Sequence, residues 1–323
     1  MKILVAGGAG YIGSCCTEYL LDRGHDVVVF DSLIKGHREA VDERAEFIKG
    51  DLADSALIDN VISNHRPEGI IHFAAFIEVG ESMANPSSYF RNNVACGLNL
   101  LDAAVNNSVR KVVFSSTAAV YGMPKKIPIP ETEPTKPISV YGESKLMFEN
   151  ILRWYEQIHG LQYTALRYFN AAGATSRFGE EHDPESHLIP IMLQVATGKR
   201  DAIKIYGSDY NTPDGTCIRD YIHVIDLAQA HLLALQHKES GVFNLGSGSG
   251  YSVREIVEVT REITGHKIPA VKTGRRPGDP PRLISDSTAA RKILGWAPTH
   301  DDIRDIIGSA WAWRREHPTG YNR

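Results

Sequence analysis

A tyrosine and a lysine stand four residues apart in YGESK, residues 141–145. On a helix this spacing puts Tyr141 and Lys145 on one face. A phenol with its ordinary pKa of about 10 is a weak base at neutral pH, and a nearby cation stabilises its anion. Such a pair is common on helix surfaces, so its significance depends on which other groups the fold places beside it.

A hydroxyl-rich segment, SST at 115–117, ends the apolar run KVVF. If this run is a strand of a parallel sheet, its carboxyl end lies at the edge where open α/β sheets hold their ligands. A hydroxyl at this edge can share a hydrogen bond with a substrate alcohol and with Tyr141, and we assign that role to Thr117. We interpret Ser115 and Ser116 as hydroxyls satisfied within the end of the strand.

Four glycines lie in GGAGYIG, residues 7–13, directly after the apolar run ILV. Between a strand and a helix, such a turn lets the backbone approach a pyrophosphate, to which the helix N-terminus offers N–H donors. A tight turn with close strand–helix packing selects the same glycines, so the motif alone leaves both interpretations open. Asp31 ends the next apolar run 18 positions after Gly13, close to the spacing at which an acid binds the ribose hydroxyls of NAD. Because no arginine directly follows Asp31, the sequence favours NAD over NADP, although Lys35 and Arg38 lie near enough to leave a 2′-phosphate partner open.

Short β-branched runs alternate with helical patterns along the first half of the chain. This alternation predicts an α/β fold with a doubly wound parallel sheet, the NAD-binding Rossmann fold. We predict strands at 2–7, 27–31, 69–75, 111–117 and 164–170, and helices near 12–23, 54–64, 87–107 and 139–160. Since the strands are apolar on both sides, helices should cover both faces of the sheet.

The alternation loosens after Asn170 into the segment ATSRFGEEHDPESH, which predicts a domain boundary. Further on, RDYIHVIDLAQAHLLAL is typical of a strand entering a helix, and VFNLGSG of another buried strand. We predict an NAD-binding domain over 1–170, to which 218–246 returns. The segments 171–217 and 247–323, which include the basic turn GRRPGDPPR, are predicted to form a smaller mixed α/β substrate-binding domain.

The composition excludes several classes of partner. The 323 residues carry a formal net charge of −4, and no long basic run indicates nucleic acid or an anionic membrane. Apolar stretches stop well short of the roughly 20 residues that a membrane-spanning helix requires. No secretion signal pattern opens the chain. We therefore expect a soluble, cytoplasmic protein that acts on small molecules.

Cysteine and histidine give little indication of a metal site. The four cysteines are Cys15, Cys16, Cys96 and Cys217. They form neither a C-x-x-C pair nor a zinc-binding pattern, so we predict buried, reduced thiols. The chain has thirteen histidines, among them His72, His187 and His223. We interpret none of them as lying at metal-ligand spacing with carboxylates. The sequence therefore predicts no metal.

The chain carries, in order, GGAGYIG, Asp31, HFAA, FSSTAAVYG, YGESK, LRYFNAAG, RDYIHVIDLA and RRPGD. This set resembles the extended short-chain dehydrogenase/reductase family, and most closely its UDP-hexose 4-epimerases, over essentially the whole chain. The resemblance implies NAD-dependent conversion of UDP-galactose to UDP-glucose. In that reaction Tyr141 takes the proton of the 4-hydroxyl while a hydride passes from C4 to NAD, and the hydride returns to the other face of the 4-keto sugar.

The resemblance also implies roles for individual residues. The catalytic residues are Tyr141 as the base, Lys145 as the cation that lowers its pKa, and Thr117, where a serine is also common. The cofactor-binding residues are Gly7, Gly10, Tyr11, Ile12 and Gly13 at the pyrophosphate, Asp31 at the ribose, Asp51 and Leu52 at the adenine, Phe73, Ala74 and Ala75 along the middle, Asn92 near the nicotinamide half, and Lys145 and Tyr168. The substrate-binding residues are Ser82, Thr117, Tyr141 and Asn170, Leu188, Tyr206 and Asp279 on the uridine side, and Arg219 and Arg276 as a pyrophosphate clamp.

The resemblance leaves the sugar and the assembly less defined. Leu283 stands at a position whose size is thought to decide whether a 2-acetamido group fits, so N-acetylated substrates stay open. The helices at 87–107 and 139–160 are expected to pair with their copies in a homodimer.

Three alternatives to a UDP-hexose 4-epimerase fit the sequence less well. A nucleotide-sugar 4,6-dehydratase would need an acid pair where this chain has Ala118 and Ala119. UDP-glucuronate epimerases and decarboxylases would need an additional positioned cation that the sequence does not indicate. A non-catalytic NAD-sensing protein on the same fold would be expected to lose one of the three catalytic residues, and all three are present.

Overall fold

Thirteen strands and ten helices are found in the computed structural model, which describes residues 1–276 and 278–321. The strands are β1 (Lys2–Ala6), β2 (Asp26–Asp31), β3 (Glu46–Lys49), β4 (Gly69–His72), β5 (Lys111–Thr117), β6 (Gln162–Tyr168), β7 (Asn170–Ala172), β8 (Ile203–Tyr206), β9 (Ile218–His223), β10 (Gly241–Leu245), β11 (Gly250–Ser252), β12 (Ala270–Thr273) and β13 (Arg282–Leu283). The helices are α1 (Tyr11–Leu21), α2 (Ser55–His65), α3 (Val79–Ala84), α4 (Pro86–Phe90), α5 (Cys96–Asn106), α6 (Val140–His159), α7 (Leu188–Ala196), α8 (Val224–Gln236), α9 (Val253–Thr264) and α10 (Ile303–Glu316).

Seven of the strands form one parallel sheet in the order β10-β6-β5-β4-β1-β2-β3. Alternate residues of each strand point to opposite faces. Ile3 and Val5 of β1 pack in a cluster with residues of α1 and α8, whereas Leu4 and Ala6 pack in a cluster with α2, α5 and α6. Helices thus cover both faces, and the predicted doubly wound α/β fold is confirmed.

The second part of the chain builds two smaller sheets. One contains β7, β9, β11 and β13, and the other pairs β8 with β12. The chain returns to the main sheet through β10 at 241–245, next to β6. Strand β9 at 218–223 instead pairs with β7, β11 and β13, so only part of the predicted returning segment joins the main sheet. Helix α8, which follows β9, packs on the main sheet beside α1.

Both ends of helix α6 are fixed by residues that favour helix termini. The Ser139 side chain accepts a hydrogen bond from the backbone N–H of Gly142 at 3.1 Å, which caps the first turn. Gly160 ends the helix with a φ of +71°, the left-handed conformation that glycine adopts without strain. This helix was predicted at 139–160 and begins one residue later, so Tyr141 lies in its first turn.

The helix predicted at 87–107 is continuous but irregular. Helix α4 runs into a π-helical turn at 91–95, which continues as α5. Strand β3 and the short helix α3 were not predicted, because neither segment has a clear period of two or of 3.6. Within 1–276 and 278–321, no helix combines the length and apolar character needed to cross a bilayer.

A buried ion pair fastens α6 to the main sheet. Arg167 of β6 donates to both carboxylate oxygens of Glu149 on α6, at 2.9 and 2.6 Å, and both side chains are at most 7% exposed. The same carboxylate accepts a hydrogen bond from Ser116 of β5. Arg167 also donates to the hydroxyl of Tyr121 at 2.9 Å. The network satisfies both charges, as buried ions require.

We predict that Arg167→Met strongly destabilises the protein, because it leaves the Glu149 carboxylate buried without a cation. Breaking such a pair costs about 3 to 5 kcal/mol. Thermal melting should show a midpoint several degrees below that of the unmodified chain. Arg153→Met on the exposed side of α6 is the matched control, and equal midpoints for the two variants would contradict the prediction.

Candidate active site

The central strands end at one edge of the main sheet, where the predicted catalytic residues meet. Thr117, the last residue of β5, pairs in register with Tyr168, the last residue of β6. Helix α6 packs against β5 and against the short turn that follows it at 118–121. Tyr141 therefore faces the end of β5, and Lys145 follows one helical turn later. This edge is where open parallel sheets bind ligands.

The Thr117 hydroxyl lies close enough to the Tyr141 phenol to act on its pKa. Burial, with a smaller contribution from the nearby Glu78 carboxylate, raises the pKa of Tyr141 to about 12. The Thr117 hydroxyl opposes that rise because it stabilises the phenolate. The Thr117 hydroxyl also accepts from the backbone N–H of Ala119 at 3.1 Å, which fixes its orientation. The phenol of the protein alone is therefore protonated at neutral pH.

Lys145 lies one helical turn after Tyr141, and its side chain is almost fully buried. Its Nζ donates to the backbone carbonyl of Ser115 at 2.8 Å and lies 5.9 Å from the centroid of the Tyr141 ring. Burial lowers the pKa of Lys145 to about 7. Ser115 was predicted only as a satisfied strand-end residue, and its carbonyl proves to position the lysine. This contact involves the backbone, so residue types do not indicate it.

Ser82 is buried and contacts the backbone of Tyr141. Its side chain is 0% exposed, and its hydroxyl donates to the carbonyl of Val79 at 2.7 Å. The same hydroxyl accepts the backbone N–H of Tyr141 at 3.1 Å. The substrate contact of Ser82 stays a prediction, and in this structure its hydroxyl is buried and engaged on both sides. Ser82 anchors the first turn of α6 from 59 residues away, which no local pattern indicates.

The glycines of the turn after β1 have different roles. A Cβ on Gly7, whose φ is +85°, would lie 2.5 Å from the backbone nitrogen of Ala74, and a Cβ on Gly13 would lie 2.2 Å from the carbonyl oxygen of Gly7. Both glycines are thus required by close backbone packing. A Cβ on Gly10 would meet only the Gly7 oxygen, at 3.5 Å. Gly10 therefore leaves room for a ligand, whereas close packing accounts for Gly7 and Gly13.

Helix α1 begins at this turn with no side-chain cap, since Gly10 is its N-cap residue. Its first N–H groups and the helix dipole are suited to a pyrophosphate. The hydroxyl of Tyr11 donates to the carbonyl of Gly173 at 2.6 Å in the interior, so only the backbone of Tyr11, like that of Ile12, is placed to contact a ligand.

Asp31 is held at the end of β2 by two backbone N–H groups, those of Ala9 at 3.0 Å and Leu33 at 2.8 Å. A carboxylate has about four lone-pair sites, so two backbone contacts leave sites for the hydroxyls of a ribose. The open space at Gly10, the uncapped helix and the anchored Asp31 together fit a dinucleotide.

The remaining predicted cofactor residues surround the same sheet edge. Asp51 and Leu52 follow β3, where the backbone of Gly50 donates to the Asp31 carbonyl at 3.0 Å, so they lie beside Asp31. The loop after β4 holds Phe73, Ala74 and Ala75, all partly buried. Asn92 lies in the π-helical turn and is also partly buried.

Tyr168 is more deeply placed than a ligand contact would suggest. It is 6% exposed, and its hydroxyl lies 3.1 Å from Nε2 of His231. The ring of Phe73 packs on the same imidazole, with centroids 4.7 Å apart. His231 thus contacts both Tyr168 and Phe73, a role that the sequence did not indicate.

The predicted substrate residues gather on the smaller sheets. Arg219 of β9 forms an ion pair with Asp279 and donates to the carbonyl of Pro280 at 2.8 Å. The guanidinium of Arg276 lies 3.9 Å from the ring centroid of Tyr206. Two cations and an aromatic ring therefore occur together, as a nucleoside diphosphate requires. Pro277, within the basic turn, lies outside the described residues.

Asn170 and Leu188 occupy neighbouring parts of this region. The Asn170 amide donates to the carbonyl of Asp220 at 2.7 Å, which orients the side chain at the start of β7. Leu188 is partly buried and begins α7. The structure thus distributes the predicted set between the edge of the main sheet and the smaller sheets, with Ser82 as the exception.

The prediction that histidines do not gather with carboxylates is wrong. Ligand atoms of Glu180, His182, Glu185 and His187 all lie within 4.8 Å of one another. The segment between β7 and α7 folds back on itself, so residues two, five and seven positions apart meet. The pattern E-x-H-x-x-E-x-H, in which glutamate and histidine alternate, could have indicated this cluster from the sequence.

Comparison with known proteins agrees with this geometry. The model of the NAD dependent epimerase/dehydratase family matches residues 3–246. A UDP-glucose 4-epimerase of Halalkalibacterium halodurans is 51% identical over 328 residues, which cover 100% of this chain and 98% of the relative. A crystal structure of a UDP-glucose 4-epimerase has a TM-score of 0.97 at 49% identity, covering 100% of both chains. The Brucella ovis UDP-glucose 4-epimerase in complex with NAD has a TM-score of 0.94 at 45% identity, covering 96% of this chain and 97% of that one.

We predict that Gly10→Ala leaves the fold intact but weakens NAD binding at least tenfold. The added methyl meets only one atom of the protein, yet it occupies the place at which we expect the pyrophosphate to approach the backbone. The control is Gly80→Ala, where a Cβ would meet nothing within 4 Å. Bound NAD can be measured by isothermal titration of protein stripped of nucleotide, and equal affinities for the two variants would show that Gly10 does not face the cofactor.

Proposed function

The chain belongs to the NAD dependent epimerase/dehydratase family and catalyses NAD-dependent 4-epimerisation of UDP-hexoses, and we propose that Tyr141, Thr117 and Lys145 perform the proton chemistry of this reaction. The single observation that carries the proposal is the convergence of these three side chains at the carboxyl edge of the main sheet. Bound NAD supplies the acceptor, and then the donor, of a hydride at C4.

Tyr141 is the base that accepts the proton of the sugar 4-hydroxyl as a 4-keto sugar forms, and it returns the proton when the alcohol is restored. Its pKa of about 12 must fall for this role. The value of about 12 already includes the effect of Thr117. A positive charge on Lys145, whose Nζ lies 5.9 Å from the ring centroid, acts in the direction of a lower pKa. Thr117 is also placed at the strand end to hydrogen-bond the same oxygen of the substrate.

The nucleotide part of the substrate is assigned to the smaller sheets, formed by 171–217 and 247–323 together with β9. Arg219 and Arg276 neutralise the diphosphate, while Tyr206 offers a flat surface on the uridine side. The pairing of Arg219 with Asp279 holds the guanidinium in place before substrate binds. We place the cofactor on the main sheet and the sugar between these two regions.

A second activity of the same family is less consistent with the site. A 4,6-dehydratase removes water with an acid and a base next to the catalytic hydroxyl, whereas Ala118 and Ala119 follow Thr117 here. Leu283, which packs on the cluster of Ala118 and Tyr121, is the side chain whose size we expect to set the range of sugars. Parallel assays with UDP-galactose and UDP-N-acetylgalactosamine measure that range.

We predict that Tyr141→Phe lowers kcat by about 10²- to 10⁴-fold, the usual contribution of a general base. The substitution removes only the hydroxyl, so NAD binding and the melting midpoint should be unchanged. The rate is measured by NMR of the anomeric protons during conversion of UDP-galactose. Tyr155→Phe, which removes a hydroxyl from the same helix away from the sheet edge, should retain full activity. Turnover by Tyr141→Phe at the rate of this control would refute the assignment.

We also propose that the protein is a homodimer paired through α6. Met147, Trp154 and Ile158 are 38%, 53% and 66% exposed, and their spacing of seven and four residues places them on one helix face. A stripe of large apolar side chains on a helix surface favours burial against another molecule. Helix α5 lies beside it, linked by the hydrogen bond from Tyr155 to Asp102.

Analytical ultracentrifugation tests this pairing. The unmodified chain should sediment as a dimer at micromolar concentration, and the double variant Trp154→Glu/Ile158→Glu should sediment as a monomer because charge is placed in the apolar stripe. Gln157→Glu adds a charge at the side of the stripe, about 100° around the helix from Ile158, and should remain a dimer. A monomeric unmodified chain, or a dimeric double variant, would exclude this interface.

The proposed compartment is the cytoplasm. The four cysteines are free thiols, and three of them are buried. Burial raises the pKa of Cys15 and Cys16 far above the ordinary thiol range, so both stay unreactive. Reduced, unpaired cysteines suit a reducing compartment.

A further inference from the structure

Four side chains outside the proposed active site converge in the segment between β7 and α7. They are Glu180, His182, Glu185 and His187. The glutamate side chains are 8% and 3% exposed, and those of the histidines 18% and 43%. Two imidazoles and two carboxylates so close together form a typical ligand set for a transition metal.

The distances within the cluster match a tetrahedral site. Nδ1 of His182 lies 3.3 Å from an oxygen of Glu180 and 3.8 Å from one of Glu185. Nδ1 of His187 lies 2.9 and 3.3 Å from the corresponding carboxylates. A tetrahedral zinc ion with bonds of about 2.0 to 2.2 Å has neighbouring ligand atoms about 3.4 Å apart. Of the four observed distances, two are 3.3 Å and close to that value, one is shorter at 2.9 Å and one is longer at 3.8 Å.

The two imidazole nitrogens provide an independent observation. Nδ1 of His182 and Nδ1 of His187 are both sealed from solvent, and neither makes a hydrogen bond of acceptable geometry. A buried polar atom without a partner is costly, and such atoms are rare in native proteins. Both nitrogens face the carboxylates without being aligned for an N–H···O bond. One cation between the four groups would satisfy all of them.

We propose that Glu180, His182, Glu185 and His187 bind one structural zinc ion through two carboxylate oxygens and two imidazole Nδ1 atoms. Imidazole ligands select zinc over calcium and magnesium, which prefer oxygen. Four protein ligands complete the tetrahedron, so no position is left for water or substrate. The ion is therefore assigned a structural role.

The ion would fix a segment that joins the two regions of the molecule. The carbonyl of Glu181 contacts Nε2 of His37 at 3.3 Å on the side of the main sheet, and Arg314 of α10 donates to the carbonyl of Glu180 at 3.0 Å. His187 directly precedes Leu188, the first residue of α7. Loss of the ion should therefore loosen the start of α7, beside the proposed nucleotide-sugar site.

Protons on the two histidines are the alternative to a metal ion in this cluster. Burial alone would lower the pKa of His182, but Glu180 and Glu185 outweigh it and raise the pKa to about 9. A metal-free cluster would therefore hold protonated imidazoles against carboxylates. The two states differ in metal content, which can be measured directly.

The experiment uses the full chain, purified without a histidine tag and without chelators. Plasma mass spectrometry should find about one zinc per chain. In the double variant His182→Asn/His187→Asn the zinc content should fall at least tenfold. The control His159→Asn/His266→Asn removes two exposed histidines elsewhere and should keep the metal. Cobalt added to protein stripped of zinc should give the intense visible absorption of a tetrahedral site, and zinc should raise the melting midpoint of the unmodified chain only.

Zinc-free protein that gives no cobalt absorption would overturn the proposal and show that the cluster holds protons. Equal zinc in the double variant and in the unmodified chain would also overturn it, since the metal would then lie elsewhere. If the double variant does not fold, the single variant His187→Gln, at the most exposed ligand, carries the same test. These readouts do not involve turnover, so their failure is distinct from a failure of the proposed epimerase mechanism.

Discussion

The proposed chemistry depends on one constraint, the close approach of the first turn of α6 to the end of β5. A Cβ on Gly142 would lie 2.7 Å from the carbonyl oxygen of Ala119, so only glycine allows this approach. Ser139 and Ser82 fix the backbone of the turn from two sides. The buried ion pair between α6 and β6 holds the rest of the helix against the sheet. Without this packing, Tyr141 and Thr117 would not meet.

The same burial that positions the site opposes its chemistry. Removal from water raises the pKa of Tyr141 and lowers that of Lys145, so both side chains are driven toward their neutral forms. His72 adds no positive charge, since burial lowers its pKa to about 3 and its ring packs against Phe114. In our account, the missing positive charge arrives with the oxidised cofactor. The base would then be active only in the complete complex, which limits proton transfer to molecules that hold both ligands.

Local sequence patterns were sufficient to predict the architecture. The runs of Val and Ile predicted the main strands to within a few residues, and the glycine turn with Asp31 predicted the cofactor at its edge. The comparisons confirmed the fold, the cofactor and the reaction. The fold and the cofactor-binding turn are encoded by periodicity and by backbone conformations that few residues allow, whereas the reaction was implied by the resemblance to a known family.

Features that depend on contacts between distant segments could not be predicted. Ser82 was assigned to the substrate because its type and region fitted, but its partner is the backbone of a helix 59 residues away. The carbonyl that holds Lys145 belongs to the backbone and has no residue signature. Strand β9 follows the pattern of a main-sheet strand, yet its register partners are β7, β11 and β13. The histidine–carboxylate cluster was missed because a reversal of the chain brings together ligands spaced irregularly for a helix or a strand.

The central claim is that the hydrogen at C4 leaves as a hydride and returns to the same carbon within one site. UDP-galactose deuterated at C4 is incubated with the purified protein and NAD in ordinary water, and the UDP-glucose formed is analysed by mass spectrometry and NMR. We expect the deuterium to be retained at C4 of the product. Replacement of the deuterium by hydrogen from water would contradict it, because the carbon would then exchange a proton with solvent rather than a hydride with the cofactor.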